Sequence, residues 1–433
     1  MLTAEQRKEK MKAVIRAGTG NFLELYDFLV YAYFATYIAR AFFPTENEFM
    51  SLMLALGTYG VASIARPFGA ILLGSYMDRH GRRKGLLVTL TLMAIGTASL
   101  AFTPGYDTIG IAAPIIITLG RLIQGFSIGV EAGGVNVYLA EIATPKNRGF
   151  YCSWQGGSQA LGVMAATGLG AFLTATLTTE QMQAYGWRIP LIVGCGIIPI
   201  LFWLRRSLQE TEFFENSTHP KSTWEVLGIL GEHWVILSIG VMLTILNTTT
   251  FYFVNTYTPT YGIRALQLDP LGTFIVALVV GTVTFALLPL GGTISDRIGR
   301  FPTLIGVPAL VLATSYFGMA WLDAAPSFER LLAVELWLAA LYAMYAGTLV
   351  PLLTEIIPAK ARSSGYSVIL SLANGLFGSF TPAIATFMIE MTGDRASPAL
   401  WLSACAALSL LGSLALWRYM AAKPGVAAAA VAE

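Results

Sequence analysis

The sequence predicts an all-α membrane protein with twelve transmembrane helices in two pseudo-symmetric six-helix halves. Three observations carry that prediction. Of the 433 residues, 55% are hydrophobic and only 12% are charged, where a soluble domain has about a quarter charged. The apolar residues fall into blocks of roughly twenty, the length a helix needs to cross a hydrocarbon core. Two polar landmarks also each occur twice, at nearly the same offset. In lipid each segment must pair its own backbone amides, so the spans are helices rather than open sheet.

The blocks lie at about 14–40, 51–76, 86–103, 112–139, 150–177, 188–205, 233–261, 271–294, 303–322, 330–354, 364–390 and 398–419. With both termini inside, inner loops collect twenty of the 27 basic residues and outer loops and span ends five. The positive-inside bias therefore places both termini in the cytoplasm of a multi-pass protein. The other two basic residues, Arg66 and Arg121, lie within spans.

An ionised side chain at the bilayer centre costs roughly 2.5–3.5 kcal/mol, so charge inside a span points to function. Span 1 carries Asn21, Glu24, Asp27 and Tyr31 at spacings of three, three and four. A helix presents such residues in one stripe, suited to a water-filled cavity or a neighbouring helix. Asp27 and Glu24 are candidates for reversible protonation, with Asn21 and Tyr31 as substrate contacts. Arg66 in span 2 and Arg121 in span 4 are planar, permanently charged donors that suit carboxylates. Glu131, further along span 4, is a third proton-coupling candidate; Glu335 and Glu390 lie nearer the ends of spans 10 and 11.

Residues 74–84, GSYMDRHGRRK, follow span 2, and residues 291–300, GGTISDRIGR, follow span 8. Both read as tight inner turns, with glycines supplying turn geometry. Asp78 and Asp296 are placed to meet helix N-termini or basic groups across the half. Arg79, Arg82, Arg83, Arg297 and Arg300 stay at the headgroups, so these loops can latch the inner face. Glu141, in YLAEIATPKNRG after span 4, and Glu355, in LLTEIIPAKARSSG after span 10, complete the gating set. Asp78 and Asp296 are 218 residues apart, Glu141 and Glu355 are 214 apart, as a duplicated six-span unit requires. The domains are then residues 1–205, a cytoplasmic linker at 206–232, and 233–433 with a short cytoplasmic tail.

The glycines of GGSQALGVMAATGLG on span 5 let helices pack closely. Span 7 carries NTTTFYFVNTYTPTYG, whose Asn247, Thr250, Tyr252, Asn255 and Tyr257 can hydrogen-bond a substrate, as can Tyr345 of span 10. Buried charge thus lies mainly in the first half and uncharged polar groups in the second, which assigns coupling to the first and specificity to the second. No Gly-x-x-x-x-Gly-Lys-Ser/Thr occurs, against an ATP-driven pump, and no nucleophile–base set suggests an enzyme. Three scattered cysteines form no CxxC pair, and His80, His219 and His233 lack metal-ligand spacing. No metal, cofactor or nucleic-acid partner is expected, and the functional unit is read as a monomer in the lipid bilayer.

GSYMDRHGRRK resembles the signature loop of the major facilitator superfamily, and GGTISDRIGR its second copy. RLIQGFSIGVEAGG resembles the superfamily's fourth-helix motif, and RRSLQETEFF the signature closing the sixth helix of metabolite carriers. GNFLELYDFLVYAYFATYIARAFFP, ARPFGAILLGSYMDRHGRRKG, YLAEIATPKNRGFYCSWQ, GWRIPL and TTTFYFVNTYTPTYG are similar to the metabolite:proton symporter family, and within it to bacterial citrate–proton symporters and tricarballylate carriers. The resemblance implies import of citrate or a related tricarboxylate with protons, by alternating access, across a bacterial inner membrane. Related carriers for dicarboxylates, shikimate-like acids and betaines share this scaffold and are the alternatives. A drug–proton antiporter is disfavoured because span 5 lacks a matching glycine-rich motif.

Overall fold

The computed structural model describes residues 14, 21–22, 25–80, 82–129, 136, 139–140, 143–144, 146–206, 228, 230–357 and 362–422; for 74–75, 77–80, 82–83, 85–86, 201, 204–206 and 362–364 only the backbone is described. Every regular element among these residues is a helix. Eight are long and apolar enough to cross a membrane, and three shorter apolar helices accompany them.

We number the helices by span. The first, α1, is helical at 25–33 and again over Ala35–Phe42. The first half continues with α2 (Glu48–His80), α3 (Arg82–Phe102), α4 (Ala112–Ile128), α5 (Arg148–Thr176) and α6 (Ile189–Arg206). The second half contains α7 (Trp234–Ala265), α8 (Pro270–Ile298), α9 (Arg300–Ala324), α10 (Phe328–Ile356), α11 (Gly365–Thr392) and α12 (Pro398–Ala422). The twelve hydropathy blocks therefore each correspond to a helix. The linker expected at 206–232 falls largely outside the described residues.

Local chemistry sets the boundaries. The Asp269 carboxylate accepts from Gly272 N at 2.9 Å, and Pro270 occupies the first helical position of α8, where no backbone donor is needed. Ser327 caps α10 by accepting from Arg330 N at 3.3 Å. Gly393 ends α11 with φ +70°, the left-handed geometry glycine adopts without strain.

The two Asp-Arg-x-Gly-Arg stretches need correcting. They are not turns along their length, because helical hydrogen bonding persists almost to their final glycine. α2 runs through Asp78 and Arg79 to His80, and α3 starts at Arg82. α8 likewise runs through Asp296 and Arg297, so that Gly299 alone (φ +87°) joins it to α9 at Arg300.

The halves meet along two seams, α5 on α8 and α2 on α11. At the first seam a Cβ on Gly149 or Gly292 would strike the other's backbone carbonyl, so both must be glycine for the chains to approach so closely. Within the first half, Gly125 allows the same approach of α4 to Ala62 on α2. α10 is the most interior helix: 78% of its most apolar stretch is buried, against 39% for α9.

Candidate functional site

A cavity of about 90 Å³, with polar groups set among apolar side chains, lies between the halves. From the first half it is lined by Asn21 and Phe28 of the first span, Arg66 of α2, Asn136, and Gln155 and Gln159 of α5. From the second half it is lined by Asn247 and Tyr252 of α7, Tyr342 of α10, and Tyr366 and Asn374 of α11. Gln155 and Gln159 are four residues apart, so one face of α5 presents both. Uncharged amides share this lining with one guanidinium and with apolar side chains such as Leu288 and Val350, and the free donors suit carboxylate oxygens. Asn21 is anchored to α5 by its Nδ2, which donates to Gln155 O at 3.2 Å and Ser158 Oγ at 2.9 Å. Arg66 Nε and Asn247 Oδ1 are buried with no partner among the described residues, as groups waiting for a ligand would be.

Arg121 does not line this cavity. It is fully buried behind an aromatic wall, with its guanidinium carbon 4.4 Å from the centre of the Phe28 ring, 4.5 Å from Tyr31 and 5.2 Å from Tyr59. Arg66 approaches the same Phe28 ring, at 4.7 Å. Phe28 is thus shared by the arginine that reaches the cavity and the arginine that does not, through cation–π contact.

From Arg121 a hydrogen-bonded chain runs to Asp27. Arg121 Nη1 donates to Gln124 Oε1 at 2.7 Å, and Gln124 Nε2 donates to Asp27 Oδ2 at 2.6 Å. The Thr97 hydroxyl of α3 donates to the same Oδ2 at 2.6 Å. Gly194 of α6 completes the pocket, since a Cβ there would lie 3.0 Å from Asp27 Oδ1. Asp27 therefore faces α3, α4 and α6 rather than the cavity, and no salt bridge forms on it among the described residues. Its Oδ1 has no hydrogen-bond partner among the described residues. With both donors on Oδ2, Oδ1 is the atom left to carry a proton.

The other sequence candidates divide by location. Tyr31 OH donates to Ala55 O at 3.2 Å and its ring faces Arg121, away from the cavity. Thr250 and Tyr345 line a narrow crevice behind Asn247, and Tyr345 OH donates to Leu243 O at 2.8 Å. Tyr257 bonds Thr386 at 2.9 Å, and the carbonyl of Asn255 accepts from Tyr33 OH of the first half. Glu24, Glu131 and Glu141 lie outside the described residues, as do the side chains of Asp78, Arg79, Arg82 and Arg83. Gln124, Thr97, Phe28, Gln155, Gln159 and Asn136 were not singled out from sequence. Gln124 had a signal, since it lies three residues beyond Arg121 and so shares its helix face.

Charged groups bridge the halves at both ends. At the end bearing the Asp-Arg motifs, Asp296 of α8 accepts from the backbone N–H groups of Gly149 (2.9 Å) and Phe150 (3.2 Å), at the positive N-terminus of α5. Arg300 holds Asp296 and Glu355, each at 2.9 Å, and Arg148 approaches Glu355 at 3.9 Å. Arg297 is exposed beside them. At the opposite end Glu48 accepts from Arg40 and from Arg264 of α7, both at 2.9 Å.

Two helical halves around a cavity that holds a guanidinium and several amides, with charged clasps at each end, define a membrane carrier of the two-half type. The chain matches the Major Facilitator Superfamily over residues 18–382, and it belongs to that family. It is 49% identical to a citrate-proton symporter of Salmonella typhi over 95% of both chains. It is 46% identical to a citrate-proton symporter of Klebsiella pneumoniae, covering 94% of this chain and 92% of the relative. The fold superposes on the xylose transporter XylE from E. coli, in a partially occluded inward-open conformation, with a TM-score of 0.73 at 21% identity, covering 95% and 97% of the two chains.

Proposed function

We propose that the protein imports citrate, or a closely related tricarboxylate, together with protons. The basic end bearing the Asp-Arg motifs faces the cytoplasm of a bacterial inner membrane. The observation that carries this reading is the cavity itself, one guanidinium among amide donors, in a chain nearly half identical to carriers named for citrate. Arg66 takes a substrate carboxylate, and Gln155, Gln159, Asn247 and Asn374 donate to the remaining oxygens, while Asn21, whose amide hydrogens are held by α5, offers its Oδ1 to a substrate hydroxyl.

Arg121 is assigned to coupling. A carboxylate seated on Arg66 draws that guanidinium toward itself and away from Phe28, changing the environment of Arg121 on the same ring. Gln124 passes the change to Asp27, where the proton is held on Oδ1. Substrate and proton thus occupy separate places linked by four side chains. Asp296, Arg300 and Glu355 close the cytoplasmic side, and Glu48 with Arg264 closes the outer side. The halves rock between these two clasps, as alternating access requires.

The test is uptake of labelled citrate into proteoliposomes under an inward proton gradient, with unlabelled tri-, di- and monocarboxylates as competitors. Gradient-driven accumulation blocked best by tricarboxylates is the expected result. Failure of citrate to accumulate, with a dicarboxylate or betaine accumulating instead, would overturn the substrate reading.

A further inference from the structure

Tyr33 takes no part in the cavity or in the path to Asp27, yet it joins the two halves. It is 3% exposed and stands on α1, nine residues from the outer end at Phe42. Its hydroxyl donates to the backbone carbonyl of Asn255, ten residues from the outer end of α7 at Ala265. At 1.5 Å per residue, both lie about 14 Å inside the outer face. The Tyr33 ring stands edge-on to Phe274 of α8, with 6.4 Å between centres, and Phe34 lies 5.8 Å from that same ring. Gly170 of α5 makes room for it, since a Cβ there would come within 2.4 Å of Phe274.

Both helices are interrupted where they cross. The backbone of α1 leaves helical geometry at Phe34, with φ −101° and ψ +16°. In α7 two π-turns, Phe253–Tyr257 and Tyr261–Ala265, flank the short stretch Thr258–Thr260 containing Pro259. Such turns are local widenings of a helix and are common at functional joints. Pro259 has no N–H, so the carbonyl four residues earlier, that of Asn255, has no α-helical donor. It is this carbonyl that the Tyr33 hydroxyl meets.

Beyond the two breaks, the outer pieces are tied to each other. Arg40 of Ala35–Phe42 and Arg264 of Tyr261–Ala265 both hold Glu48 at 2.9 Å, and Tyr261 OH donates to Arg395 O at 2.8 Å. The Glu48 side chain is 64% exposed, so water replaces its ion pairs at little cost. The Tyr33–Asn255 bond is of another kind. Asn255 is 1% exposed, and a buried carbonyl without a donor is costly. While the outer side is closed, that carbonyl depends on Tyr33; once the sides part, water reaches both groups. The hydroxyl therefore stabilises the closed outer side more than the open one.

We infer that Tyr33 is the pin of the outer gate: its hydroxyl on the Asn255 carbonyl holds that side closed, and the outward-facing state forms when the pieces beyond the two breaks swing apart. The inference rests on the carrier reading of the two halves and not on the identity of the substrate. Tyr33→Phe removes the hydroxyl and keeps the ring against Phe274. Pro259→Ala returns a backbone donor to the Asn255 carbonyl in both states, so opening no longer strands it.

The experiment measures the distance between spin labels at the outer ends of the two halves, by pulsed electron paramagnetic resonance in proteoliposomes. The labels are attached through Glu46→Cys, between α1 and α2, and Ala325→Cys, between α9 and α10, with the three native cysteines replaced by alanine. Tyr33→Phe is expected to raise the ratio of the long to the short distance by about fivefold, the worth of one buried hydrogen bond. Pro259→Ala is expected to shift the ratio the same way, and Tyr33→Phe to add little on top of it. An unchanged ratio in Tyr33→Phe, or an undiminished effect of Tyr33→Phe in the Pro259→Ala background, would overturn the inference. Should Tyr33→Phe fail to fold, an unchanged ratio in Pro259→Ala overturns it instead. Citrate added to the wild type is expected to alter the same ratio; no response there would count against the substrate reading, not against the pin.

Discussion

The two halves hold an ionisable group at the same place on their fourth helices, and they partner it differently. In the first half Arg121 is stacked among three rings and wired through Gln124 to Asp27. In the second half the equivalent Glu335, 214 residues on, is buried, with its Oε2 unpartnered among the described residues. The first arrangement joins two opposite charges through an intermediary amide, so a change at one can reach the other. The second is a single buried acid with no Lys, Arg or His paired to it among the described residues. Buried ionisable groups survive only where partners satisfy them. The different surroundings set the two halves apart, and the proposed coupling belongs to the first.

This contrast can be broken most severely at Asp27. Asp27→Asn is expected to abolish proton-driven accumulation of citrate while retaining citrate exchange, seen by comparing gradient-driven uptake with counterflow. Next is the division between the arginines. Arg66→Ala should weaken citrate binding by about 10²-fold, roughly 3 kcal/mol, since it removes a buried charge from a carboxylate. Arg121→Ala should instead lower driven uptake at saturating citrate with little change in apparent affinity, because it does not reach the cavity. A matching rise in the KM of both variants would erase the distinction.

Smaller effects belong to the clasps. Asp296→Asn keeps an acceptor for Gly149 N but loses the ionic contact to Arg300, and is expected to change the transport rate by about fivefold, roughly 1 kcal/mol. Arg264→Ala removes a contact to the largely exposed Glu48, so its effect should be at most about threefold and should fade at high salt. Initial rates across a salt series separate the two.

Much of the architecture could be read before any coordinates, because the bilayer converts twenty apolar residues into a helix almost regardless of detail. The repeated Asp-Arg motifs pointed Asp296 at helix N-termini or basic groups, but not at the other half, where it meets the N-terminus of α5 at Gly149 and Phe150. Periodicity could not tell that a ring stands between Arg121 and the cavity. It places Arg121 on a helix face, but the depth of that face depends on Phe28, Tyr31 and Tyr59 arriving from two other helices. The same limit hid Gln155 and Gln159: on a helix rich in glycine they read as isolated polar residues, and only the seam with α8 fixes where they point. Tyr257 and Tyr345 err the other way, since hydroxyls on a polar span can satisfy backbone or neighbouring helices as readily as a ligand.

The most direct measurement records external pH in lightly buffered proteoliposomes as citrate enters, for the wild type and Asp27→Asn side by side. The account expects the wild type to alkalinise the medium with each pulse of citrate, and Asp27→Asn to exchange citrate without moving protons. Equal proton uptake per citrate in the variant would contradict the assignment of coupling to the first half.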